Sequence, residues 1–89
     1  MTKKLNITGL GNLPKGSIAE IVRVMGESEM NSRFLAMGFL EGSNVEVVHE
    51  APFGKDPIAV RVRGALLALR RSEANLVEVR FIASSEVKS

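Results

Sequence analysis

Short runs of apolar residues, most of them alternating and each cut off by glycine, proline or a polar turn, decide what this chain can fold into. Ile58, Val60 and Val62 alternate with Ala59, Arg61 and Arg63; Val77, Val79 and Phe81 alternate with Glu78 and Arg80. Val45, Val47 and His49 share one parity, with Glu46, Val48 and Glu50 on the other. A period of two places such sets on opposite faces of a strand. Ala65 to Arg70 is apolar as far as Leu69 and reads as another strand after the break at Gly64. Ser17 to Val24 is β-branched, but its alternation is broken: Ile18, Val22 and Val24 share parity with Glu20, and Ile21 lies on the other. A bulge, or burial on both faces, accounts for such a run. Several strands this short expose many edges unless the sheet rolls up on itself.

One segment has the other period. Met30, Phe34 and Met37 fall on one helical stripe, widened by Leu35. Ser28 stands in position to cap its start, and Glu29 puts a negative charge in the first turn. Gly38 sits where a helix end needs positive φ, and Phe39 follows, placed to pack back on Phe34. Leu40 to Ser43 reads as a turn, residues 9–16 as a loop, and Ser72 to Asn75 as one helical turn. The expected fold is mainly β with one inserted α-helix, a small SH3-like β-barrel of about five strands; a two-layer α+β sandwich is the alternative. With 89 residues the chain holds one domain, 1–89, with its core over about 5–82 and a small, polar tail at 83–89 that is expected to fray.

Composition removes whole classes of function. There is no cysteine, hence no disulfide framework, thiolate zinc site or cysteine nucleophile. The net charge of +2 and the absence of Tyr and Trp leave little to grip a phosphate backbone or stack bases, so no nucleic acid is expected as partner. The same lack of aromatics denies the chain the usual polyproline groove. No apolar run approaches the ~20 residues of a membrane span, and the start carries no signal-peptide pattern, so direct membrane insertion is not expected and a cytoplasmic location is. Gly9, Gly11 and Gly16 lie in a glycine-rich segment, but no GxxxxGK[ST] accompanies them. A lone histidine and a lone aspartate, with no serine in a motif, do not make a hydrolase.

Two candidate sites remain. His49, Glu50 and Asp56 lie within eight residues and could hold a divalent transition metal weakly; no diagnostic ligand spacing is present, and no cofactor is required. Leu40 and Phe53 sit beside turns, where exposure is expected, and Lys55, Arg61 and Arg63 lie in the most basic part of the chain. Residues 55–80 hold six cations against three anions. Apolar anchors with a basic rim suit a docking surface for an acidic partner.

The segments themselves are familiar in combination. Arg33-Phe34-Leu35-Ala36-Met37-Gly38-Phe39-Leu40-Glu41-Gly42 and Ala51-Pro52-Phe53-Gly54-Lys55-Asp56-Pro57-Ile58 resemble two motifs of the ferrous iron transport protein A (FeoA) family. Val60 to Gly64, Leu67 to Arg71, Glu73-Ala74, Val77 and Val79 resemble its C-terminal pattern. Glu41 stands where the family commonly has proline, Lys55 lengthens the second motif by one residue, and Ala65 occupies a place often aromatic. The resemblance implies an SH3-like barrel with an inserted helix and no enzymatic activity. It implies an accessory or regulatory protein of bacterial ferrous iron uptake, monomeric or weakly dimeric. Its partner would be the cytoplasmic GTP-binding part of the membrane ferrous iron transporter B, which would hold it peripherally at the inner face of the membrane. The same domain ends metal-dependent repressors, so the competing reading is a transition-metal-binding or sensing domain.

Overall fold

The computed structural model describes residues 7–85. Its elements in order are β1 (Ile7–Gly9), a 3₁₀ turn (Leu10–Asn12), β2 (Ser17–Val24), α1 (Ser28–Ala36), β3 (Asn44–Glu50), β4 (Ile58–Val62), β5 (Ala65–Leu69), α2 (Arg71–Ala74) and β6 (Val77–Ser84). The six strands form one antiparallel sheet in the order β1-β6-β2-β3-β4-β5. This is the SH3-like arrangement with the inserted helix, with one strand more than the sequence suggests. The extra strand, β1, spans three residues, too few for a period to show. Its two outermost strands, β1 and β5, remain edges. Among the described residues no helix is long and apolar enough to cross a membrane.

The alternating runs form the core. Val45 and Val47 of β3, Ile58, Val60 and Val62 of β4, and Val77 and Val79 of β6 are all buried. Leu10 and Leu13, from the segment expected to be only a loop, are buried with them. In β2 the inward face is Ser17, Ala19 and Ile21, and the larger Ile18, Val22 and Val24 are half-buried. Two irregularities in the β2–β6 register, at Ile18/Ala19 and Ile21/Arg23, account for the broken alternation of this strand.

A bulge in β3 has a larger consequence. Val47 faces Val60, but His49 faces Ala59 and Glu50 faces Ile58, so Val48 is the extra residue. A one-residue insertion exchanges the two faces beyond it. His49 therefore leaves the face of Val45 and Val47 and is exposed, and Glu50 takes the inward parity in its place.

The helix starts at Ser28, with Glu27 rather than Ser28 in the capping position and no side-chain cap bond. Asn31 Nδ2 donates to the Val24 carbonyl at 2.8 Å and ties the helix to the end of β2. Phe34 is buried, whereas Leu35 is exposed and does not widen the apolar stripe. The C-terminus follows the expected motif: Gly38 N–H donates to Leu35 O and Phe39 N–H to Phe34 O, both at 3.0 Å, with Gly38 at φ 101°. The turn folds the Phe39 ring edge-on to Phe34, with centroids 5.2 Å apart. The three atoms nearest to a Cβ on Gly38 all belong to the Arg63 side chain, at 3.5 Å or more, so there is room for it and the backbone conformation forbids it. Gly38→Val is accordingly expected to lower stability by about 1–3 kcal/mol, read as a fall in the urea midpoint at unchanged slope. A wild-type midpoint in that variant would show that the cap does not constrain the helix end.

The last strand runs longer than the sequence suggests. Ala83 pairs with Ile18, Ser84 with Ser17, and the Ser85 N–H donates to Gly16 O. These residues belong to the sheet, not to a frayed tail; the remainder of that tail, 86–89, and the start of the expected core at 5 and 6 lie outside the described residues.

Candidate functional site

β3 separates the candidate docking residues. Leu40 precedes its first residue and Phe53 follows its last, so the two lie at opposite ends of a strand of seven residues, about 20 Å long at ~3.3 Å per residue. They do not form one patch. Leu40, Arg61 and Arg63 belong to the end near the helix C-terminus, and Phe53 and Lys55 to the far loop.

At the helix end, Arg63 is not the last outward residue of a strand. With Gly64 it makes a two-residue hairpin turn between Val62 and Ala65, and both turn residues have positive φ, 48° and 84°. The stem of Arg63 lies over Gly38. Arg61 is exposed on the outer face of β4, between Glu46 of β3 and Leu66 of β5. Its guanidinium stands 3.7 Å from the Glu46 carboxylate, a loose surface pair. Leu40 is 39% exposed.

At the far end, Phe53 is 89% exposed at the tip of the β3–β4 loop, on which Lys55 adopts φ 59°. Beneath this loop the structure assembles a cluster that sequence reasoning missed, centred on Arg71. Its Nη1 donates to the carbonyls of Gly11 (3.0 Å) and Leu13 (2.8 Å), its Nε to Lys55 O (2.7 Å), and its Nη2 to Glu50 Oε1 (2.9 Å). The Arg71 backbone N–H donates to Asp56 Oδ1 at 3.0 Å. One residue thus joins the 3₁₀ turn, the end of β3, the long loop and α2. A signal for it existed: Arg71 continues the parity of Leu67 and Leu69, the inward residues of β5.

The same cluster separates the candidate metal ligands. Glu50 and Asp56 both face Arg71, and the bulge turns His49 to the opposite face of the sheet. Among the described residues no group of three or more His, Asp or Glu side chains is arranged to hold an ion. Titration of the isolated protein with zinc or ferrous iron is expected to give weak binding only, abolished by His49→Ala. Stoichiometric submicromolar binding would mean ligands beyond this set, for example from a second copy.

The basic segment also divides by role. Arg71 is structural, Arg80 pairs with Glu20 at 3.0 Å, and Arg61 pairs loosely with Glu46. Among the described residues, the side chains of Lys55, Arg63 and Arg70 have no ion-pair partner.

Comparison with known proteins agrees with this geometry. The FeoA domain family matches residues 8–81. A fusion of Fe(2+) transport protein A with the Fe(2+) transporter FeoB from Porphyromonas gingivalis is 39% identical over 80 residues, which are 90% of this chain and 9% of the fusion protein. This chain therefore spans about a tenth of the length of that relative. Among solved structures, a FeoA-like protein from Clostridium acetobutylicum is 32% identical with a TM-score of 0.79, over 99% of this chain and 98% of its own. FeoA of Stenotrophomonas maltophilia, an SH3 domain protein crystallised with zinc, is 32% identical with a TM-score of 0.71, over 80% of this chain and 87% of its own. A manganese-dependent transcriptional repressor shares the fold, with a TM-score of 0.74 over 85% of this chain and 42% of its own, but at 19% identity it shows the fold alone.

Proposed function

Since the chain belongs to the FeoA family, whose domain matches residues 8–81, we propose that it is an accessory module of ferrous iron uptake that acts by binding the cytoplasmic GTP-binding part of the ferrous iron transporter FeoB. The observation that carries this reading is the relative in which a domain 39% identical to this chain is continuous with the transporter. Fusion fixes two modules at a high effective concentration, which is useful where the separate modules must meet. The geometry suits a binding module. The Glu50 and Asp56 carboxylates are committed to Arg71, no cluster among the described residues resembles a catalytic constellation, and the candidate docking residues Leu40, Phe53, Lys55 and Arg63 are all exposed. The reading also implies a cytoplasmic protein, peripheral to the membrane through its partner.

The test is recovery of the transporter from detergent-solubilised membranes on the immobilised chain, together with iron uptake in cells that lack it. Because Leu40 and Phe53 lie at opposite ends of β3, they are varied separately. Phe53→Ser tests the far loop with Lys55, and Leu40→Glu tests the helix end with Arg61 and Arg63. Loss of transporter recovery in one variant, with the urea midpoint unchanged, assigns the docking end. Failure of the wild-type chain to retain the transporter, with uptake normal in its absence, would overturn the proposal.

A further inference from the structure

The sheet has an unprotected edge. β5 pairs only with β4, and its register, Val62 with Ala65 through Ile58 with Leu69, runs without a bulge. Natural edge strands are usually blunted by proline, a bulge or a charged residue within the strand. Ala65-Leu66-Leu67-Ala68-Leu69 contains none of these. Ala65, Leu66 and Ala68 are exposed, Leu66 to 61%, and no other strand among the described residues pairs with this edge.

The hairpin turn fixes which backbone groups are free. A two-residue turn is closed by a hydrogen-bonded pair, here Val62 and Ala65, and hydrogen-bonded and non-bonded pairs then alternate along the ladder. Ala65, Leu67 and Leu69 bond to β4. Leu66 and Ala68 therefore turn their N–H and C=O groups away from the sheet, and both have exposed side chains.

Charge decides what fits. The edge is bracketed by Arg63 in the turn before it and Arg70 directly after it, neither ion-paired among the described residues, with Arg61 beside Leu66 on the outer face. A second copy paired antiparallel about this strand would set the Arg63 end of each chain against the Arg70 end of the other. Like charges would then meet at both ends of the joint. A segment with acidic ends meets the opposite field at both.

We propose that the free edge of β5 is a strand-addition site for an extended segment of another protein, with an apolar centre and an acidic residue at each end about seven positions apart. Backbone pairing with Leu66 and Ala68 supplies affinity, and Arg63 and Arg70 supply selection. The proposal goes beyond the uptake reading and does not depend on it.

The test uses the full chain, labelled for NMR, and two synthetic acetylated and amidated octapeptides of alternating Thr and Val, one with Glu at both ends and one with Lys. The Glu-ended peptide is expected to shift resonances along β5 and to slow amide exchange at Leu66 and Ala68, binding about tenfold more tightly than the Lys-ended one. The Arg63→Asn/Arg70→Gln double variant should remove that preference, while its unchanged urea midpoint shows that the fold is intact. Equal binding of both peptides would overturn the proposal. So would shifts confined to a separate depression beside the helix, lined by Met30, Arg33 and Leu76, or Leu66 and Ala68 amides already protected in a concentration-dependent dimer.

Discussion

Arg71→Ala is expected to lower the free energy of unfolding by about 3 kcal/mol, whereas Arg70→Ala, one residue earlier, should change it by less than about 0.5 kcal/mol. The Arg71 guanidinium makes four hydrogen bonds, three to backbone carbonyls and one to the Glu50 carboxylate. Bonds involving a charged partner contribute ~1.5–3 kcal/mol each when buried. The pair is 22% exposed on both sides, so solvent screening reduces that sum. Truncation would also leave the carbonyls of Gly11 and Leu13 without this donor and Glu50 without its counter-charge. Arg71→Lys should recover less than half of the loss, because one ammonium on a flexible stem cannot span four acceptors in three segments. Urea unfolding of the three variants checks the ranking. Similar midpoints for Arg70→Ala and Arg71→Ala would mean that the cluster contributes no stability. For a domain whose total stability is on the order of 5–10 kcal/mol, the expected loss is a large fraction.

The second large effect is expected at Gly11. A Cβ there would fall on the carbonyl oxygen of Arg71, 2.9 Å from its carbonyl carbon and 2.8 Å from Asn75 Oδ1. Backbone atoms of α2 cannot yield without moving the helix, so Gly11→Ala should cost about 3 kcal/mol, at the upper end of overpacking effects. Gly9 offers a comparison. A Cβ there meets mainly the side chain of Asn75, whose Oδ1 is buried and accepts no hydrogen bond from the described residues. Asn75→Ala should therefore restore much of the stability lost in Gly9→Ala but little of that lost in Gly11→Ala. Equal rescue at both positions would place the conflict in the side chain rather than in the backbone.

These two sites show where sequence reasoning stopped. The glycines at 9 and 11 are recognisable as a cluster, and a phosphate-binding role is dismissed for lack of the motif. Their physical role is the close approach of the 3₁₀ turn to α2. That contact joins residues some sixty positions apart, for example Gly11 O with Arg71 Nη1. Nothing local distinguishes a glycine required for close approach from one required for a turn. Similarly, His49, Glu50 and Asp56 are near in sequence and look like a ligand set until the bulge at Val48 is known. The bulge sends His49 to one face and leaves both carboxylates with Arg71. Leu40 and Phe53 look alike as turn-borne apolar residues, and both are exposed. Only the course of β3 reveals that they occupy opposite ends of the sheet.

The sequence by itself determined whatever depends on neighbours within about five residues. The helical stripe around Phe34, the Gly38 cap with Phe39 folded onto Phe34, the one-turn helix near Glu73 and the alternating strands β4 and β6 are of this kind. In each, the backbone preference and the apolar period point to the same conformation. The motifs that identify the family are also local, which is why membership was legible before the fold. The tertiary structure alone decided the register, the bulges, the extension of β6 to Ser84, the hydrogen bonds of the half-buried Arg71 and the exposed edge of β5. These depend on which strand lies beside which, and a one-residue shift between strands reverses the face of every side chain beyond it, whereas it leaves the local sequence pattern unchanged.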